Sequence, residues 1–282
     1  MMKRTTQCLL VLTAAAGLGS NRAMAEVRLG INPRLSATEM STMFTPLADH
    51  LSRETGEKVT LVIPKDFEAL KALAASGQID LVYANPLQYV QLRRDAGVEP
   101  LAVASEVNVG TRFRGVIVAR KDSGIASVQD LKGKRLIFVD KDSPGAYMFP
   151  IRLLQKAGLQ ADRDFTMLPF AKKQDNVLMA VFNKAADAGA VREPDLERMK
   201  DKVDMDQIRI VGYTESMPNW VVFAVAKTSK ALREKAKAAL LKLRPASGEA
   251  DAVLAVARLN GFAPVADKEF AQLREAAKAV GA

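Results

Sequence analysis

Short apolar runs alternate with stretches of helical period along most of this chain, and that alternation restricts it to an α/β fold. The first strand-like runs fall at residues 27–31, 59–63, 80–83 and 100–104. Between them Phe44, Leu47, Ala48 and Leu51 recur at helical spacing, as do Phe67, Leu70, Leu73 and Ala74. A second series of runs follows at 115–119, 135–139, 165–168, 188–191, 208–211 and 220–225. From Ser229 onward the pattern reads as helix over 232–243, 249–259 and 268–280, with 261–264 separating the last two. No low-complexity linker divides the chain. Two α/β halves are therefore expected to be joined by crossing strands, near 105–114 and 212–221, rather than by a flexible tether.

The N-terminus carries a different signal. Lys3 and Arg4 precede the apolar run 9–12, small residues follow, and Ala23-Met24-Ala25 closes the segment. A basic start, an apolar stretch too short to span a bilayer and an A-x-A site are the three parts of a secretory signal peptide. The expectation is export to the periplasm with cleavage after Ala25. Cleavage would remove 25 of 282 residues together with Lys3, Arg4 and Arg22, leaving 257 residues and lowering the net charge from +9 to +6. It would also remove Cys8, the single cysteine. A thiol-free chain has no disulfide, no thiolate metal site and no cysteine nucleophile. A net charge of +6 favours anionic partners only weakly. The basic residues are scattered, with few aromatics among them, which argues against nucleic acid.

Catalysis finds little support. The single histidine, His50, falls on the polar side of an amphipathic stretch and reads as a solvated surface residue. No Ser-His-Asp set or metal-ligand spacing can be built around it. No G-x-x-x-x-G-K-[ST] phosphate loop occurs near Gly110, Thr111, Arg112 and Gly115. Asp140 and Asp142 read as a strand-end turn and a cap, and Trp220 and Phe223 as core or hinge packing. No cofactor is implied.

The helix starts carry the chemistry instead. Ser36 with Glu39 three residues on is a capping box. Asn85-Pro86 follows the run ending at Tyr83, asparagine suiting the N-cap and proline the first helical position. Ser143-Pro144-Gly145-Ala146 follows the run ending at Val139, opening a helix expected to stop at Gly158. In open α/β sheets ligands bind beyond the carboxyl ends of the strands. Exposed N–H groups and the helix dipole favour an anion there. Any one of these starts is explained equally well as a helix cap. Their recurrence in both halves points to a cleft for a small polar ligand, with Tyr83 and Tyr147 as candidate walls.

On these residues the sequence resembles the periplasmic phosphate/phosphite/phosphonate-binding proteins, the substrate-binding subunits of phosphonate-type ABC transporters. The resemblance rests on 44–51 (FTPLADHL), on 77–83 (GQIDLVY) before Asn85-Pro86, and on 96–101 (AGVEPL). It continues through 120–125 (RKDSGI), 130–134 (DLKGK), 138–140 (FVD) and 187–191 (DAGAV). It implies a two-lobed periplasmic binding protein fold of type II-like organisation, each lobe a mixed sheet flanked by helices, with the ligand cleft between lobes. The expected division is 1–25 signal peptide, 26–108 plus 220–282 lobe 1, and 109–219 lobe 2. The implied role is the solute-binding protein of an ABC importer, not an enzyme, capturing a small oxyanion or phosphonate-like ligand and docking on an inner-membrane permease. The alternative is a periplasmic sensor that signals to a membrane histidine kinase.

The departures from the family are informative. A Ser/Thr-rich turn of the form S-T-S-G-Y holds phosphoryl oxygens in the family, whereas 142–147 here is DSPGAY. One hydroxyl is left, Pro144 removes an N–H and Asp142 adds negative charge. Gln174 stands where the family often has histidine, followed by Asp175, while Asp187 matches the family's pocket aspartate. The candidate ligand-binding residues are thus Ser36, Tyr83, Asn85, Ser143, Gly145, Ala146, Tyr147, Gln174, Asp175 and Asp187. Lys172, Lys173, Arg112 and Arg114 are the cations that could compensate for lost donors.

Overall fold

The computed structural model describes residues 26–244, 249–279 and 281. The expected leader and Cys8 lie outside the described residues. In chain order the first half runs β1 (Glu26–Ile31), α1 (Ala37–Thr55), β2 (Lys58–Val62), α2 (Phe67–Ala75), β3 (Leu81–Ala84), α3 (Pro86–Ala96) and β4 (Glu99–Glu106). After β5 (Arg112–Phe113) come β6 (Gly115–Arg120), β7 (Arg135–Ile137), α4 (Phe149–Lys156), β8 (Thr166–Met167), α5 (Gln174–Phe182), β9 (Ala188–Arg192), α6 (Glu193–Arg198) and β10 (Ile208–Tyr213). The chain ends with β11 (Met217–Pro218), β12 (Val221–Ala224), α7 (Lys230–Lys242), α8 (Glu249–Ala257), β13 (Leu259–Ala263) and α9 (Ala271–Ala279).

These elements build two mixed sheets. One has six strands in the order β13-β4-β12-β3-β1-β2, the other five in the order β10-β6-β9-β7-β8. In the first, β12 runs antiparallel to β3 and β4, and β13 antiparallel to β4. In the second, β6 alone opposes its neighbours β9 and β10. The chain passes from one sheet to the other through β5 and β11, which pair with each other (Met217 opposite Phe113). Both lie inside the segments expected to cross. Among the described residues no helix is long and apolar enough to cross a membrane.

The core follows the helical stripes read from the sequence. On one face of the first sheet, Phe44, Leu47 and Leu51 of α1 pack with Ala236, Leu240, Val253 and Leu254 of α7 and α8. Each fully buried Leu or Phe side chain contributes about 1.5–3 kcal/mol. The opposite face is covered by α2, α3 and α9. That cluster continues through Phe113 and Met217 to Met148 and Phe149, so apolar packing ties the two sheets together on this side. α4 and α5 cover the two faces of the second sheet.

Two expectations are corrected here. His50 is buried, only 4% exposed, and donates from Nε2 to the Ala239 carbonyl oxygen at 3.0 Å. Its face of α1 is polar in sequence, but α7 lies across it. The helix expected over 249–259 ends at Ala257; Arg258 takes a left-handed φ of 56° and the chain turns into β13. A five-residue strand containing a glycine leaves too little alternation to be seen against a helical run.

Candidate ligand-binding cleft

The carboxyl ends of β1, β2, β3 and β4 lie on one edge of the first sheet, together with the start of β12, because β12 runs antiparallel to β3. The equivalent edge of the second sheet gathers the ends of β7, β8, β9 and β10 and the start of β6. The two edges face each other. Hydrogen bonds from Ser36 hold the Glu39 carboxyl of α1 below its ordinary range, and the charge of Lys173, just before α5 in the other half, adds to this. Burial pushes the Asp142 carboxyl up and Asp140 pushes further, while Glu68 and Lys71 of α2 also act on it across the gap.

The helix starts are built as expected, and each cap oxygen accepts a backbone N–H of its own helix. Ser36 accepts from the Glu39 N–H at 3.3 Å and donates to Glu39 Oε2 at 2.6 Å. Asn85 Oδ1 accepts from the Gln88 N–H at 3.1 Å. Ser143 accepts from the Ala146 N–H at 3.3 Å and opens a π-helical turn, Pro144–Met148, that leads into α4. The chain leaves α4 through Gly158 at a φ of +81°, the stop expected there. Ser36, Asn85 and Ser143 therefore cap helices at the cleft edge.

The other named residues are not brought together. Gly145 is buried beneath Phe113 and Arg192, and its carbonyl oxygen would be 2.0 Å from a Cβ on Gly115, so only glycine fits at 115. Ala146 is fully buried. Both serve packing instead of presenting N–H groups. Tyr83 is 1% exposed, between Phe44 at 4.9 Å and Trp220 at 5.4 Å, and burial pushes its phenol well above the ordinary value. It is core rather than wall. Tyr147 sits edge-on between Phe138 and Phe170. Gln174 Oε1 accepts the Arg192 N–H at 3.0 Å. Asp175 turns to Arg198 and Lys202. Asp187 lies just before β9, at the amino end of the strands, and accepts from the Arg135 backbone N–H and guanidinium at 2.8 and 2.9 Å. It locks β7 to β9 at the edge away from the cleft. Of the compensating cations, Arg112 donates to Ser216, Arg114 pairs with Glu193 and Lys172 with Asp140. Only Lys173 acts across to the other half.

Residues that sequence reasoning missed form the floor. Arg34 follows β1, and its guanidinium lies 5.1 Å from the Trp220 ring centroid. Asn32, 7% exposed, accepts from Gln88 Nε2 at 2.9 Å. Arg192, at the end of β9, reaches Glu106 at the end of β4 at 2.9 Å, and lies over the Phe113 ring at 4.4 Å. Burial alone would lower the Arg192 pKa; Asp195 and Glu106 reverse this and raise it. Beyond burial, the charges of Arg34, Glu106 and Arg192 also act on the Tyr83 phenol. The contacts join segments far apart in the chain, and no local pattern announces them. A hollow of about 240 Å³ at the opposite edge of the second sheet, among Arg120, Asp122, Lys134, Lys184 and Asp187, has its carboxylates already paired with cations.

Known proteins give an independent view. The signature of the family described as "ABC transporter, phosphonate, periplasmic substrate-binding protein" matches residues 29–270. The tetrathionate sensor histidine kinase TtrS of Salmonella typhimurium is 28% identical over 257 residues, covering 85% of this chain but only 43% of that protein. The phosphate-import protein PhnD of Mycolicibacterium smegmatis is 27% identical over 220 residues, 72% of this chain and 67% of that one. The structure of PhnD1 from Prochlorococcus marinus, solved with methylphosphonate, superposes with a TM-score of 0.76 at 18% identity, covering 91% of this chain and 98% of the other. At that identity the match shows the fold: two α/β lobes.

Proposed function

The chain belongs to the family of periplasmic substrate-binding proteins of phosphonate ABC transporters, and from that premise we propose that it is the extracytoplasmic receptor of an importer. It captures a small oxyanion or phosphonate-like ligand by lobe closure and delivers it to an inner-membrane permease. Export with cleavage after Ala25 and a lobe division at 108/109 and 219/220 belong to the same reading, as does a role in binding without catalysis. One observation carries it above the others. The carboxyl edges of two sheets face each other, with capped helix starts on both sides and Lys173 of one half acting on Glu39 of the other. Such an arrangement supplies positive potential to a small anion from both sides. A thermal-shift screen of the mature protein against small anions, phosphonates, sulfonates and amines tests it. An upward shift with an anion supports the receptor role, and a response confined to cations overturns it.

A second reading has its own support. The match to a sensor kinase over 85% of this chain favours a ligand-sensing protein that reports to a membrane histidine kinase. Neighbouring permease and ATPase genes would favour the importer, and a neighbouring kinase gene the sensor.

A further inference from the structure

Cations at the cleft edges are mostly spent. Arg192 is shared by Glu106 and Asp195, Arg114 by Glu193 and Lys172 by Asp140, while Arg112 donates to Ser216. Arg34 differs. Among the described residues it has neither an ion pair nor a hydrogen bond; its guanidinium rests over Trp220, and its Nε is buried with no acceptor. A buried donor left unmade in a folded protein calls for an explanation. Here the group sits at the carboxyl end of β1, between that strand and the Ser36 cap, where the fold places ligands. The two terminal Nη groups of the guanidinium form a planar fork that matches two oxygens of one oxyanion.

We propose that Arg34 holds the anionic head of the ligand, and that this head is a singly charged oxyanion whose oxygens only accept hydrogen bonds, as in a sulfonate or carboxylate. This rests on the receptor reading and specifies its ligand. A phosphonate dianion would want a second uncompensated cation beside Arg34, and Lys173, another cation at these edges without an ion pair among the described residues, already acts on Glu39. Its protonated form carries an O–H that needs an acceptor, yet Glu106, Asp195 and Glu193 are all taken by arginines. A singly charged acceptor-only head meets neither obstacle.

Calorimetry on the mature protein decides the matter with three probe sets: small alkanesulfonates, acetate and propionate, and methylphosphonate with phosphate. The expected result is binding of a sulfonate or carboxylate at least about 10-fold tighter than methylphosphonate, unchanged between about pH 6.5 and 8. Arg34→Gln should weaken it about 100-fold, and Arg34→Lys, which keeps the charge but loses the fork, should restore only part. Circular dichroism checks that both variants fold. The proton-independent pH profile of the wild type provides a reading that needs no variant. Preference for phosphonate, or Arg34→Gln binding like wild type, overturns this inference and leaves the receptor role standing. Binding of no anion at all overturns both.

Discussion

The Arg34 guanidinium lies 5.1 Å from the centroid of the Trp220 ring, and Trp220 stacks on Tyr83 at 5.4 Å and 29°. Phe44 extends this column into the first core. Trp220 is the single tryptophan of the chain, so its emission reports on the cleft floor. An oxyanion drawn to Arg34 would change the field at the indole. Titration with a ligand should shift or quench the emission in proportion to occupancy, and an unchanged spectrum at saturation would place the ligand elsewhere.

The same column makes Trp220 structural. It is only 7% exposed. Trp220→Ala should cost about 3–5 kcal/mol through the cavity it opens between Tyr83 and Arg34. Trp220→Phe keeps an aromatic platform and should cost far less. Urea unfolding of the two variants, followed by circular dichroism, gives the comparison. Equal losses would mean that a phenyl ring recovers none of the indole's packing and would refute the platform.

Methylphosphonate and phosphate should bind weakly or not at all. Ser143 is the one hydroxyl left in the turn, Pro144 has no N–H, and Gly145 lies under Phe113 and Arg192. A tetrahedral dianion that loses two charge-assisted donors, each contributing about 1.5–3 kcal/mol, loses about 10²–10⁴-fold in affinity. Calorimetry measures this directly, and submicromolar affinity for either anion would refute the prediction.

Much of the fold was legible because its cause is local. Met40, Phe44, Leu47 and Leu51 lie on one stripe, Ser36 and Glu39 start the helix that carries it, and both facts sit within sixteen residues of chain. The helix caps at Asn85 and Ser143 were legible for the same reason. The cleft floor was not. Arg34 finds Trp220, and Arg192 finds Glu106, only after both sheets have formed. Asp187 was misread because family likeness supplied a role that geometry denies: a residue immediately before a parallel strand lies at the wrong end of the sheet for a ligand. Tyr83 was misread because an aromatic next to a helix start looks like a wall until its neighbours, Phe44 and Trp220, are placed on both sides.

Asp187 should therefore matter for stability rather than binding. Hydrogen bonds from Arg135 hold its carboxyl below the ordinary value of 3.8, against a smaller opposing effect of burial. A depressed folded-state pKa contributes stability that is present above about pH 4 and is lost as pH falls through the folded value. The pair is partly exposed, at 47% and 31%, so solvent screening limits it to about 1 kcal/mol, or ~2–4 °C in Tm. Asp187→Asn should melt lower than wild type by that amount at pH 7, and the gap should close below pH 4. Ligand affinity should not change. A binding defect with an unaltered melt would return Asp187 to the cleft.

Glu106 and Arg192 join the end of β4 to the end of β9, one residue from each sheet, with side chains 15% and 11% exposed. Glu106 accepts from Arg192 Nη2 through both carboxylate oxygens, at 3.2 and 2.9 Å. Removing one partner of a buried pair leaves the other charge desolvated, which typically costs about 3–5 kcal/mol. Asp195, 3.7 Å from the same guanidinium, keeps part of the compensation, so Glu106→Gln should fall at or below the lower end of that range. The double variant Glu106→Gln/Arg192→Met removes the stranded charge and should recover much of the loss. Thermal melts of the single and double variants test this. If the double variant is no more stable than Glu106→Gln, the cost lies in Arg192 packing on Phe113 and over Gly145, not in its charge.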